Sequence, residues 1–168
     1  MSNNKSDLQR IKENIPFEKT VVLVKPDGVQ RGLTGRVLTR FEEKGLKLVA
    51  LKMMTVDDAI IEAHYSHLKD KPFFKSLKDF MSSSPLVAMV WEGLDAVEAV
   101  RLICGTTNSR KADAGSLRGD FGMGMTSNIV HASDSKENAE EEIVRFFDPE
   151  EILDYDKTEY LHIYLPEI

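Results

Sequence analysis

Two short runs, "TVVLVK" at 20–25 and "PLVAMVWEG" at 85–93, do most to limit what this chain can fold into. Both are apolar, short and rich in β-branched or bulky residues, so each predicts a buried strand. Between them the apolar residues change to a helical period. "LTGRVLTRFEEKG" carries Leu33, Val37, Leu38 and Phe41 at that spacing and stops at Gly45. "LKLVALKMMTV" (46–56) predicts a second strand. Asp57 or Asp58 caps a helix through "AIIEAHYSHL", "PFFKSLKDFM" gives another, and "LDAVEAVRLICG" runs from an Asp95 cap to Gly105. "SNIVH" is a fourth short strand. Behind it Asp134 and Glu137 predict an Asp-x-x-Glu capping box for a helix that buries Ala139, Ile143, Phe146 and Phe147. This order predicts the α/β (α+β) class: a ferredoxin-like βαββαβ sandwich whose antiparallel four-stranded sheet carries its helices on one face.

A length of 168 residues suits one domain with a real core. The division expected is a polar N-terminal extension over 1–18, with room for a short helix near "DLQRIKENI", and a domain over 19–168. With 42% hydrophobic and 30% charged residues, and no apolar run of spanning length, neither disorder nor a membrane protein is expected. The first residues lack an apolar core and a cleavage site for secretion, and the single cysteine, Cys104, cannot form an internal disulfide. A cytoplasmic protein is expected. Cys104 lies in "AVRLICG" and reads as a packing residue. A net charge of −6 argues against a nucleic-acid binder. It leaves room for a small anion pocket, because a few local arginines outweigh a distant field.

Residues 106–125 contain Gly115, Gly119, Gly122 and Gly124, and a loop this long in a compact domain points to function. Just after it stands "NIVHASDS" (128–135). His131 closes the fourth strand immediately before a capped helix N-terminus, where free N–H groups and the helix dipole attract anions. A neutral imidazole near its reference pKa is nucleophilic and forms covalent intermediates. A histidine that merely donates to a backbone carbonyl is the alternative that context leaves open. Lys25 closes the first strand, Arg101 lies on a helix and Arg118 sits in "GSLRGDFGMG"; each alone also suits a solvated surface charge. "DFG" (120–122) resembles the magnesium motif of protein kinases, but the rest of that constellation is missing, and so is a P-loop. His64, His67 and His162 share no metal-ligand spacing; His64 and His67 read as surface or helix-face residues.

"NIVHASDS" resembles the nucleoside diphosphate kinase signature N-x-x-H-[GA]-S-D. "KPDGVQRGLTG", "HYSHLKDKPFF", "SPLVAMVWEG" and "LRGDF" are similar to further blocks of that family, in the family's order, over roughly 19–157. The resemblance implies a ping-pong exchange in which His131 takes the terminal phosphate of a nucleoside triphosphate and passes it to a nucleoside diphosphate. Glu142 would hydrogen-bond the imidazole, with Ser133 supporting that carboxylate. Lys25 and Asn128 would meet the ribose hydroxyls, with Lys25 also near the transferring phosphate. Arg101, Thr107 and Arg118 would hold phosphate oxygens, Phe73 would stack on any base, and Tyr65 would lie near His131 and the phosphate. Mg²⁺ would bridge the phosphates, held by nucleotide and water rather than by protein side chains. A homo-oligomer is implied, a hexamer ahead of a tetramer, helped by the 106–117 loop and the apolar tail "YLHIYLPEI". Departures are Ala132 for the commoner glycine, Ser127 for an arginine found in many animal members, and Ser109 and Ala114 where many relatives have prolines, which predicts a looser loop. Competing readings are a non-catalytic regulatory scaffold and a phosphohistidine carrier acting on proteins.

Overall fold

The computed structural model describes residues 2–164, with side chains from residue 7 onward. The strands are β1 (Glu18–Val24), β2 (Lys47–Met54), β3 (Leu86–Gly93) and β4 (Val130–Ala132). The helices are α1 (Ser2–Asn14), α2 (Pro26–Gln30), α3 (Thr34–Glu43), α4 (Asp58–His64), α5 (Phe74–Met81), α6 (Ala96–Cys104), α7 (Leu117–Phe121), α8 (Lys136–Phe146) and α9 (Tyr160–Ile163). The strands form one antiparallel sheet in the order β2-β3-β1-β4, the ferredoxin-like arrangement expected. Register places Val21 opposite Val90 and, on the other side of β1, Leu23 opposite His131.

The helices cover both faces of the sheet, not one. Val21 and Leu23 pack with Ile61, Leu77, Met81 and Phe146, from α4, α5 and α8. Val22 and Val24 pack with Val37, Phe41, Val100 and Leu117, from α3, α6 and α7. The cause is visible in "TVVLV" and "LVAMVW". A strand that is apolar at every position has no face to give to water, so both sides need cover.

Two caps fall differently from expectation. Asp57 does cap α4, accepting the Ile60 N–H at 2.9 Å. At α8 the cap is Ser135, whose Oγ accepts the Asn138 N–H at 3.1 Å; Asp134 takes the Asn138 side-chain amide instead. Ser133 is still tied to β1, its N–H donating to the Val21 carbonyl at 3.2 Å, so the chain turns one residue later than the Asp134–Glu137 box requires. Asp95 stands at the start of α6 in the left-handed region (φ 49°) with no side-chain cap; Glu18 Oε1 accepts the Val97 N–H at 2.9 Å in its place.

The segment 106–125 contains regular structure. It holds a 3₁₀ turn at Ser109–Lys111 and then α7. Ser109 is buried, and its N–H donates to the Gly124 carbonyl at 3.2 Å. Arg40 on α3 pairs with Asp120 at 3.2 Å and also donates to the Gly115 carbonyl; Arg31 donates to the Phe121 carbonyl at 2.6 Å. These bonds hold the segment without the prolines.

Residues 1–18 are more than a polar extension. Leu8, Ile11 and Ile15 are buried beside Tyr160 and Tyr164, and Phe17 stacks 5.0 Å from Tyr160. Lys12 pairs with Asp156 at 2.7 Å. The polar composition hides an i, i+3, i+7 apolar stripe. The last four residues of "YLHIYLPEI" lie outside the described residues.

This cluster is separate from the two sheet cores. Ile11→Ala should remove about 2–5 kcal/mol of packing. Hydrogen exchange should then accelerate in α1 and α9 while β1 and β3 stay protected. Equal loss of protection in the sheet would show that the N-terminal helix is part of the main core.

Candidate active site

The end of β1, the end of α4, the 106–125 segment, β4 and α8 converge on a cleft of about 1400 Å³. His131 lies in its floor. The ring Nε2 is 3.0 Å from both carboxylate oxygens of Glu142, in the second turn of α8. Ser133 Oγ donates to Glu142 Oε2 at 2.7 Å and accepts the Val21 N–H at 3.1 Å. Carboxylate oxygens only accept, so the network assigns the proton to Nε2 and the free lone pair to Nδ1. Glu142 and Ser133 therefore stand where expected, and β1, β4 and α8 are fastened together at this one point.

Lys25 is buried at the cleft edge, with Nζ donating to Asn128 Oδ1 at 2.7 Å and to the Thr126 carbonyl at 3.1 Å. The third N–H has no protein partner among these bonds. Asn128 in turn donates from Nδ2 to the Thr107 carbonyl at 2.8 Å. Burial, and then the neighbouring Arg118 charge, push the Lys25 ammonium down to about 8, against the opposing pull of Asp27. Arg118 is on α7 rather than in an open loop. Its Nη1 and Nη2 donate to the carbonyls of Gly105 (2.6 Å) and Val130 (2.8 Å), which aims a buried guanidinium beside the histidine strand. Arg101, in the last turn of α6, is exposed in the cleft and has no ion pair with the described residues. Phe73 stands half-exposed at one end of the cleft, and Thr107 lines another part of it.

Three findings lie outside the sequence reading. Ile129 has φ 72°, a conformation that costs a β-branched residue about 1–3 kcal/mol. Asp27 Oδ2 accepts its N–H at 3.0 Å, and its carbonyl accepts the Lys25 N–H at 2.8 Å. Gly28 permits the approach: a Cβ there would stand 2.7 Å from Val24 Cγ1 and 3.0 Å from the Ile129 carbonyl. No motif announces this kink.

His64 is the second, and it corrects an expectation. It is buried rather than on the surface, and its ring centre lies 4.4 Å from that of His131 at 75°. His67 is exposed, as expected. The helical period hides His64 because polarity, not position, made it look solvated. Burial first, then the fields of His131, Arg145 and Lys25, push its imidazole down to about 2.

Tyr65 is the third. Its ring stands 6.5 Å from that of His131, near it as expected, but its hydroxyl donates to Met81 Sδ at 3.8 Å in the core. That hydroxyl is not turned to the cleft, because Met81 offers a buried acceptor on the α5 side.

His64, His131 and Glu142 bring donor atoms within 4.8 Å of one another. Two imidazoles and one carboxylate suit a borderline transition metal, whereas Mg²⁺ demands oxygens. The Arg145 guanidinium, 3.4 Å from His64 Nδ1, adds positive charge against any cation there. This donor set therefore does not suit Mg²⁺.

A family model described as nucleoside diphosphate kinase matches residues 18–152. The chain belongs to the nucleoside diphosphate kinase family. A nucleoside diphosphate kinase of Parabacteroides distasonis is 52% identical over 148 residues, covering 88% of this chain and 97% of that protein. A nucleoside diphosphate kinase B of Pongo abelii is 47% identical over the same share of this chain. Among solved structures, the nucleoside diphosphate kinase of Halobacterium salinarum in complex with CDP superposes with a TM-score of 0.85 at 46% identity, covering 88% of this chain and 98% of that one. The span matched by the nucleoside diphosphate kinase model contains every cleft residue named above and leaves out α1 and α9.

The lowered Lys25 gives a pH dependence. Its positive charge is present below about 8 and is lost as pH rises through that value. Because kcat/KM reports groups of the free enzyme, it should fall about tenfold per pH unit on the alkaline side, with an apparent pKa near 8. A flat profile up to pH 10, measured with coupled initial rates, would show that Lys25 stays charged or is not needed.

Proposed function

We propose that His131 Nδ1 is the phosphoryl carrier of a nucleoside diphosphate kinase reaction. The observation that carries this reading is the Glu142 carboxylate on Nε2, which leaves Nδ1 unprotonated in a cleft edged by Lys25, Arg101 and Arg118. Nδ1 attacks the terminal phosphorus of the triphosphate. The N–P bond forms, the P–O bond to the leaving diphosphate breaks, and that electron pair leaves on the diphosphate oxygen. The ring becomes a phosphoimidazolium, and Glu142 balances the new charge. In the second half, a terminal oxygen of another diphosphate attacks the phosphorus and the N–P electron pair returns to Nδ1. Most of the barrier is lowered by positioning and by fixed positive groups.

In this reading Arg118, Arg101 and Thr107 take phosphate oxygens, while Lys25 and Asn128 take the ribose hydroxyls, with Lys25 also near the transferring phosphate. Phe73 offers a half-exposed ring to the base, and stacking on one face tolerates every base. Tyr65 serves as a wall beside His131, its hydroxyl already used by Met81. Mg²⁺ enters as part of the nucleotide substrate and neutralises phosphate charge. No described helix is long and apolar enough to cross a membrane, and we place the protein in the cytoplasm. We favour a homo-oligomer, a hexamer ahead of a tetramer; edge strand β2 exposes Leu51 and Met53, apolar residues that suit burial against another copy.

Incubation with ATP and Mg²⁺ should leave an acid-labile label on His131 that any nucleoside diphosphate discharges. His131→Ala should abolish exchange between ATP and GDP; exchange at the wild-type rate would overturn the mechanism. Glu142→Gln should lower kcat about 10–100-fold with little change in KM. Phe73→Ala should weaken purine and pyrimidine nucleotides alike, by about 1–3 kcal/mol in binding titrations. Loss for one base only would reveal contacts that read base edges.

A further inference from the structure

His64 presents a danger to the arrangement just described. Its Nδ1 lies 3.6 Å from Glu142 Oε1, too far for a hydrogen bond and close enough for one to form after a small shift. A protonated Nδ1 would donate to that carboxylate. It would draw Glu142 away from His131 Nε2, 3.0 Å off, and compete for the oxygen that balances the charged ring.

Arg145 stands against this. It lies three residues after Glu142 on α8, on the same helical face. Its Nη1 is 3.4 Å from His64 Nδ1. A guanidinium only donates, so His64 Nδ1 must accept, and the imidazole proton is forced to Nε2. There it has no hydrogen-bond partner among the described residues. The ring cannot easily turn to exchange its nitrogens, because Tyr65 and Phe146 stand against it with centroids 4.5 and 5.1 Å away.

We propose that Arg145 is a positioning residue that acts through His64: it locks His64 in the Nε2–H tautomer, so that Glu142 stays committed to His131. This rests on the reading of His131 as phosphoryl carrier. The low proton affinity of buried His64 agrees with it, since the ring stays neutral and only its tautomer needs control.

The test is a double-mutant cycle with Arg145→Leu and His64→Phe, which keeps an aromatic ring against His131 but has no nitrogen to donate. Arg145→Leu should lower kcat about tenfold with KM unchanged, and Arg145→Lys, which still donates, should recover part of the loss. Adding His64→Phe to Arg145→Leu should recover most of it. In ¹⁵N spectra of the histidine rings, His64 should be the Nε2–H tautomer in the wild type and a mixture in Arg145→Leu. A rise in KM with kcat intact would make Arg145 a substrate contact and overturn the proposal. So would equal loss in the single and double variants, or an unchanged His64 spectrum. Labelling of His131 by ATP in the wild type is followed in parallel. Its absence would sink the carrier assignment, whereas labelling with no effect of Arg145→Leu would sink this proposal alone.

Discussion

A carboxylate buried against an imidazole is the contact on which the rest of the site depends. Glu142 on α8 reaches His131 on β4, and Ser133 joins both to the backbone of β1. The contact exists only if α8 starts at the right residue. Capping at Ser135 rather than Asp134 sets the rotation of α8 that turns Glu142 inward with Ala139 and Phe146. A helix that started one residue earlier would swing each side chain by about 100°. The cap is thus part of the chemistry. It decides which nitrogen of His131 keeps its lone pair.

The other half of the site stores strain. Ile129 in the left-handed region turns the chain so that Asn128 meets Lys25 while Val130 and His131 rejoin the sheet. Asp27 and Gly28 on α2 hold that turn, one by a hydrogen bond and one by having no side chain. Residues 25–28, "KPDG", therefore act together: a cation, a helix start, a clamp and a clearance. Burying Lys25 is costly, and its lowered proton affinity is the sign of that cost. The same burial strengthens the field of its charge in the cleft.

Much of this was legible in the sequence. β1 and β3 were plain because continuous runs of β-branched and bulky apolar residues have few alternatives, and the roles of Glu142 and Ser133 came from the family resemblance. What stayed hidden depended on three-dimensional context. The two-sided cover of the sheet was implied by the lack of polar alternation in β1, yet the order of elements alone does not say which face each helix takes. The cap at Ser135 depends on how far β4 stays paired. His64 looked solvated because a histidine on a helix usually is; its burial comes from α4 packing beneath α8. The apolar stripe of α1 was diluted by the polar residues around Leu8, Ile11 and Ile15, and it gained meaning only beside Tyr160 and Tyr164.

The proposed chemistry turns on one atom, Nδ1 of His131. The most direct measurement is the phosphohistidine isomer formed after brief exposure to ATP and Mg²⁺, read by alkaline digestion and chromatography or by ³¹P resonance against the two standards. The Nε2–H tautomer of His131 predicts phosphate on Nδ1 alone, because Nε2 is held by Glu142. Phosphate on Nε2 would contradict it, and would mean that the Glu142 contact breaks before the reaction instead of directing it.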